Sequence, residues 1–201
     1  MNESKGGVRR MVFRWRSYTP IPFLVAMVWF ASPTPLSLAV GFALVLAGES
    51  IRFWGVSIAG SETRTTGKVG GTYLITNGPF AHTRNPLYLG NLILYCGIGV
   101  MSMALFPWLV LVAAAWFYLQ YSLIVSQEEE YLADRFGSEY SDYRRHVGRF
   151  WPRWTRYVPP TPPPKTADPS EGFASERRTL QAIGLVSGVI VGLYLYRTWW
   201  G

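Results

Sequence analysis

Four stretches of this 201-residue chain are apolar over close to the length that a bilayer core demands, and that fact removes most folds from consideration. A membrane helix needs about 20 largely apolar residues at 1.5 Å each. Leu36 to Ala59, Leu87 to Leu105, Phe106 to Ser126 and Leu180 to Tyr196 come near it. A fifth run, Ser17 to Ala31, is shorter and carries Pro20 and Pro22 near its start; the "SPTP" that follows reads as a tight turn. Lipid cannot satisfy open backbone polar groups, so such runs fold as helices. The expected class is all-α, a multi-span membrane bundle of about five transmembrane helices.

Charge supports that reading. Only 15% of the residues are charged, against about 25% in soluble domains. The net charge of +7 could suggest a nucleic-acid partner, but its placement argues against one. All but two of the 19 Lys and Arg residues precede the first apolar run, or fall between the second and third runs, or between the fourth and fifth. These are alternate sides of the bundle, so the positive-inside rule puts the N-terminus and both long loops in the cytoplasm. The excess charge is topology, and contact with anionic lipid, before it is a nucleic-acid surface. Five of the nine tryptophans (Trp15, Trp151, Trp154, Trp199 and Trp200) stand near polar edges, as interfacial anchors do. The first run lacks a clear small-residue cleavage site and reads as an anchor. Cys96 is the single cysteine, which excludes an intrachain disulfide and a cysteine-rich metal site.

The chain divides into a basic N-terminus with a first helix (1–35), a core with three spans and an interfacial segment (36–157), a proline-rich linker (158–179) and a C-terminal span (180–201). Residues 127–157 are too charged to span and too aromatic for an ordinary linker, so they are expected as helical pieces lying at the interface. "VPPTPPPKTADPSEG" reads as an extended spacer. Gly184, Gly188 and Gly192 line one face of the last helix; packing against the bundle is the favoured reading, a homodimer seam the other.

Three features could carry chemistry. In "TRNPLYLG", Asn85 suits an N-cap and Pro86 the first helical position. The glycine-dense loop before it can offer backbone N–H groups to a ligand. If helicity continues past the fourth span, Glu128, Leu132 and Phe136 share one stripe, so that one carboxylate faces the bundle while Glu129 and Glu130 point to water. Glu49 and Arg52 lie three apart inside the second run, as a buried pair or a site, since intramembrane charges are costly and rarely idle. His82 and His146 have no companions at metal-ligand spacing, so no metal is expected.

The ordered pattern "LITNGPF…RNPLYLG", a helical hairpin, then Glu128, Glu129, Leu132, Phe136, Gly137, Tyr140, Tyr143 and Val147 resembles the isoprenylcysteine carboxyl methyltransferase family. It is also similar to the wider group of membrane phospholipid methyltransferases. The resemblance runs over roughly Leu36 to Tyr157. It implies S-adenosyl-L-methionine, held on the cytoplasmic side in a pocket roofed by the interfacial segment. Carried over to this chain, the cofactor contacts are Leu74, Ile75, Pro86, Leu87, Tyr88 and Glu128, together with Thr72, Tyr73, Phe80 and Asn85. Relatives often place histidine where Asn85 stands and tyrosine where Phe80 stands. The arginine that eukaryotic prenylcysteine enzymes carry four residues before the first glutamate is Ile124 here, so the likeness does not extend to a prenylcysteine carboxylate.

The function this implies is methyl transfer to a lipid or isoprenoid-like substrate drawn from the bilayer, on oxygen or a carboxyl group. Phospholipid N-methylation is the alternative; a sterol-reductase-like enzyme using a nicotinamide cofactor and a non-enzymatic lipid-binding protein are the others. In-line transfer from a sulfonium requires alignment and exclusion of water more than covalent help. An amine acceptor would use a base, for which Glu129 or a tyrosine is the candidate. A carboxylate acceptor would use a cationic clamp, for which Arg52 and Arg84 are the candidates.

Overall fold

The computed structural model describes residues 15–16, 18–60, 73–161 and 165–200. Among the described residues five α-helices follow one another: α1 (Pro20–Trp29), α2 (Pro35–Ala59), α3 (Pro86–Ser102), α4 (Trp108–His146) and α5 (Pro169–Trp200), with a short 3-10 turn at Gly78–Ala81. Among the described residues, extended pairing amounts to one isolated bridge, Thr83 with Gly148. The protein is an all-α membrane helix bundle. Helices α2, α4 and α5 are long and apolar enough to cross a bilayer, whereas α1 and α3, of 10 and 17 residues, are apolar but shorter.

Proline opens most of these helices where its missing N–H is not needed. Pro20, Pro35, Pro86 and Pro169 are first residues. The turn before α2 is held reciprocally: the Ser37 N–H donates to Thr34 Oγ1 (3.1 Å) and the Thr34 N–H to Ser37 Oγ (2.9 Å). Two lost donors are thus satisfied as in a capping box.

Two compact units can be distinguished. The first takes α1, α2 as far as Gly48, α3 from Leu92, α4 as far as Ile124, and α5 from Thr179. Its buried side chains include Met27, Val45, Ile98, Met101, Phe117 and Ile190. Phe117 lies between Phe23 and Tyr95, at centroid distances of 5.4 and 4.7 Å. Here α2 and α3 meet backbone to backbone. A Cβ on Gly41 would stand 2.5 Å from the Met101 nitrogen, and one on Gly97 2.8 Å from the Val45 nitrogen. Such close approach gives dispersion contacts, which drive helix association where lipid removes the hydrophobic gain.

Helix α5 corrects two expectations. It begins at Pro169, not Leu180, because Asp168 and Pro169 form a cap and first position: Asp168 Oδ1 accepts from the Ser170 N–H at 2.9 Å. The residues just before it are tied down: Asn77 Nδ2 donates to the Lys165 carbonyl (2.8 Å) and the Asp168 N–H to the Ser57 carbonyl (2.7 Å). The glycines do not pack on the bundle. Ser187 and Ile190 turn inward, so Gly184, Gly188 and Gly192 lie on the opposite side, with no described atom within 4 Å of a Cβ built on any of them.

The second unit takes Glu49–Asn91 and Val125–Arg178. Its core is Leu74, Tyr140, Tyr143 and Val147, with Leu132, Ala133, Phe136 and Tyr157 against it. Helix α4 runs on past its apolar part and breaks at Gly137, whose φ of 51° and ψ of −117° are open to glycine and strained for other residues.

Candidate functional site

All the site residues named from the sequence that the structure describes belong to the second unit; Thr72 lies outside the described residues. The backbone places them. The Arg84 N–H donates to the Gly148 carbonyl, the Arg153 N–H to His82 and the Tyr157 N–H to Ala81, each at 2.9 Å. Tyr143 Oη donates to the Phe80 carbonyl (2.7 Å), and His82 Nδ1 meets the Arg153 carbonyl at 2.7 Å. Residues 80–84 are thereby clasped to 143–157, so the start of α3 has a fixed aim. Asn85 stands at the N-cap position expected of it, though its side-chain Nδ2 donates to the Arg149 carbonyl at 3.0 Å. Its carbonyl still receives the first helical bond, from Leu89 at 3.1 Å.

The two sequence-distant motifs meet here twice. Tyr88 Oη donates to Glu128 Oε1 at 2.8 Å. One turn deeper in the clasp, Glu129 Oε1 accepts from Arg84 Nε (3.0 Å) and Nη2 (2.7 Å), while its Oε2 accepts from Arg149 Nη2. The Arg84 and Glu129 side chains are 9% and 7% exposed. Arg84 Nη1 is spent on the carbonyls of Arg144 and Val147. The expectation that Glu129 faces water is therefore corrected. Of the three consecutive glutamates it is the buried one, and Glu130 the exposed one. The two guanidiniums that meet it offset the cost of taking its charge out of water.

Glu49 and Arg52 do pair, with Arg52 Nε 3.5 Å from Glu49 Oε2, but they are not alone. Arg52 Nη2 also donates to both oxygens of Glu176 (2.8 and 2.6 Å), and its Nη1 to Asn91. Among the described residues neither buried Glu49 oxygen has a hydrogen-bond partner. Leu74 and Pro86 are buried; Tyr73, Ile75, Phe80, Leu87 and Tyr88 are partly so. Gly55 admits Leu87, whose Cδ2 would be 2.7 Å from a Cβ there.

Three contributors escaped the sequence reading as site residues. Arg149 gives no signal among so many arginines. Glu176 lay in the stretch read as linker. Tyr140 lay in the motif, yet only the fold shows that its hydroxyl is buried, at 1% residue exposure, with no hydrogen-bond partner among the described residues. Outside the membrane-spanning part, Tyr157 donates to Asp142 Oδ2 at 2.7 Å. Loss of solvation, then that bond and the Asp142 charge, push its hydroxyl up to about 12. Among the described residues no three His, Cys, Asp or Glu side chains converge as metal ligands.

Residues 36–139 match the model of a family described as phospholipid methyltransferase. Among curated proteins, the chain is 33% identical over 125 residues to the cobalt-zinc-cadmium resistance protein CzcN of Cupriavidus metallidurans, covering 62% of this chain and 53% of that one. It is 34% identical over 82 residues to the nickel-cobalt-cadmium resistance protein NccN of Alcaligenes xylosoxydans xylosoxydans, covering 41% and 37%. It is 28% identical over 122 residues to the protein-S-isoprenylcysteine O-methyltransferase of Saccharomyces cerevisiae, covering 59% and 50%. The chain thus spans about half the length, or less, of the curated relatives it matches.

Proposed function

Because the chain belongs to the phospholipid methyltransferase family, we propose that it is a membrane methyltransferase that takes its methyl group from S-adenosyl-L-methionine. The acceptor is a lipid or isoprenoid-like molecule of the bilayer. The observation that carries this is the Tyr88–Glu128 contact at 2.8 Å, which joins the start of α3 to the end of the apolar part of α4.

The residues around that contact suit the cofactor. A buried hydroxyl lacking a partner, Tyr140 Oη, is available in the core that Leu74 helps to form. Glu128 and Tyr88 set a hydrogen-bonded carboxylate and phenol at a partly exposed position. Leu74, Ile75, Pro86, Leu87, Tyr88 and Glu128 would hold it, with Tyr73, Phe80 and Asn85 beside them. When bound it supplies a methyl group on a sulfonium, transferable by in-line displacement. The chain's part is alignment and exclusion of water. Glu129, Arg84 and Arg149 act as positioning residues, because both carboxylate oxygens of Glu129 are occupied by guanidinium donors. Arg52 is similarly occupied by Glu176 and Asn91. The basic loops put this side of the chain in the cytoplasm.

A second reading, transfer to a lipid amine, is favoured by Glu49. Glu49 shares the Arg52 guanidinium with Glu176, so two acids face one cation and leave negative charge that a cationic head group would compensate. The test is calorimetric titration of the purified full chain in detergent with S-adenosylhomocysteine, expected to bind, and more weakly by about tenfold after Tyr88→Phe or Glu128→Gln. Binding of NADPH with none of S-adenosylhomocysteine overturns the reading. Incubation with methyl-labelled cofactor and native lipid extract, followed by mass spectrometry, then distinguishes an N-methyl from an O-methyl product.

A further inference from the structure

Residues 144–158 present a surface that methyl transfer does not use. Trp151 is 84% exposed, Trp154 100% and Val158 69%. Arg144, Arg145, Arg153 and Arg156 are exposed on the same stretch. None of the four meets a carboxylate at ion-pair distance among the described residues. A cleft of about 320 Å³ is lined by Asp142, His146, Arg153, Thr155, Arg156 and Tyr157. Asp142, the acid in it, is already engaged by Tyr157 Oη (2.7 Å) and lies 3.5 Å from His146 Nδ1.

The stretch is irregular yet pinned. Its backbone bonds to Ala81 and His82, and Arg153 Nη1 donates to the His146 carbonyl. A pinned backbone presents the indoles and guanidiniums in a fixed array without the ordering cost of a loose tail. Indoles prefer the membrane–water layer, where the ring meets acyl chains and the N–H meets water. Guanidinium forks fit phosphate oxygens. The stretch takes in the last residues of α4, on the polar part beyond the break at Gly137, and so lies on the chain past the apolar part able to cross a bilayer.

We infer that residues 144–158 form a docking site for anionic phospholipid head groups of the membrane the chain itself spans. Trp151 and Trp154 enter the interfacial layer, and the cleft between the Arg153 and Arg156 side chains takes a head-group phosphate. The site is independent of the methyl-transfer reading, since neither the cofactor nor the acceptor is needed to fill it.

The test is native mass spectrometry of the full chain in detergent, titrated with phosphatidylglycerol or phosphatidylcholine of identical acyl chains. The parent is expected to retain phosphatidylglycerol in preference. Each arginine near an anionic surface is worth about 1 kcal/mol, or about fivefold, so the pair Arg145→Gln and Arg156→Gln should weaken phosphatidylglycerol roughly 30-fold and leave phosphatidylcholine unchanged. Arg177→Gln with Arg178→Gln, exposed on α5, serves as the control and should change little. Trp154→Ala, which removes an indole with no buried area, guards against misfolding: with brominated phosphatidylglycerol it should abolish part of the fluorescence quenching seen in the parent. Equal retention of phosphatidylglycerol by parent and double variant, equal loss in the control, quenching unaltered by Trp154→Ala, or full displacement by millimolar inorganic phosphate or by polyglutamate would each overturn the inference.

Discussion

Replacing Glu129 with glutamine tests whether the buried carboxylate holds the site together or performs its chemistry. The substitution keeps the shape and removes the charge. Arg84, whose side chain is 9% exposed, then loses the anion that accepts from its Nε and Nη2 at 3.0 and 2.7 Å. Breaking a buried pair on one side costs about 3–5 kcal/mol. The Val147 and Arg144 carbonyls still receive Nη1, so the lower end, about 3 kcal/mol, is expected. Arg149 is 35% exposed, and its half of the contact is screened. Arg149→Gln should therefore cost no more than about 1 kcal/mol. The assay is denaturation of the full chain in detergent, read alongside S-adenosylhomocysteine binding. The double replacement Arg84→Met with Glu129→Met should recover only part of the loss, because it removes the buried unpaired guanidinium but leaves the partly exposed Arg149 without its carboxylate and the Val147 and Arg144 carbonyls without that donor. Full stability of Glu129→Gln, with turnover alone abolished, would refute a positioning role and make Glu129 the base.

Other expectations follow from particular contacts. Gly41→Ala forces a methyl to 2.5 Å from the Met101 nitrogen, a backbone atom that cannot swing aside. Thermal melting should show roughly 2–3 kcal/mol of destabilisation, and Gly97→Ala should behave alike. Gly188→Ala meets nothing within 4 Å and should leave the melting point of the monomer unchanged or raised; if sedimentation of the parent shows a dimer that this variant lacks, the glycine face is its seam. The Tyr157 hydroxyl, held to about 12 in the fold, is protonated there over a range in which the unfolded chain, near 10, has lost the proton. Its stabilisation is complete below about pH 10 and disappears as pH rises through about 12. Melting curves of Tyr157→Phe should accordingly fall less steeply than the parent's over that interval.

Apolar length made the helices legible, because lipid leaves the backbone no other way to satisfy itself; α2 begins at Pro35, one residue before the position expected from the sequence. The break at Gly137 was visible only as a glycine, since its positive φ depends on where α4 has to turn. The start of α5 was misplaced because apolarity set the boundary, whereas Asp168 and Pro169 govern where the helix begins. At the site, the encounter of the 82–88 and 128–136 stretches was readable from motif order. Which of Glu128, Glu129 and Glu130 goes inside was not, for helical periodicity gives a face but not the guanidinium waiting on another segment. Arg149 arrives 20 positions after Glu129, past the break at Gly137 and beyond the end of α4, where helical periodicity no longer places it.

The backbone clasp between residues 81–84 and 148–157 sets an order on biosynthesis. The start of α3 leaves the ribosome more than 60 residues before the strand of chain that fastens it, as the separation of 63 between Arg84 and Val147 measures. Glu129 emerges 45 residues after Arg84, and until the later stretch follows, the nascent chain carries Arg84 without its carbonyl acceptors. A product terminated anywhere before residue 148 would insert its early helices and still lack a binding centre.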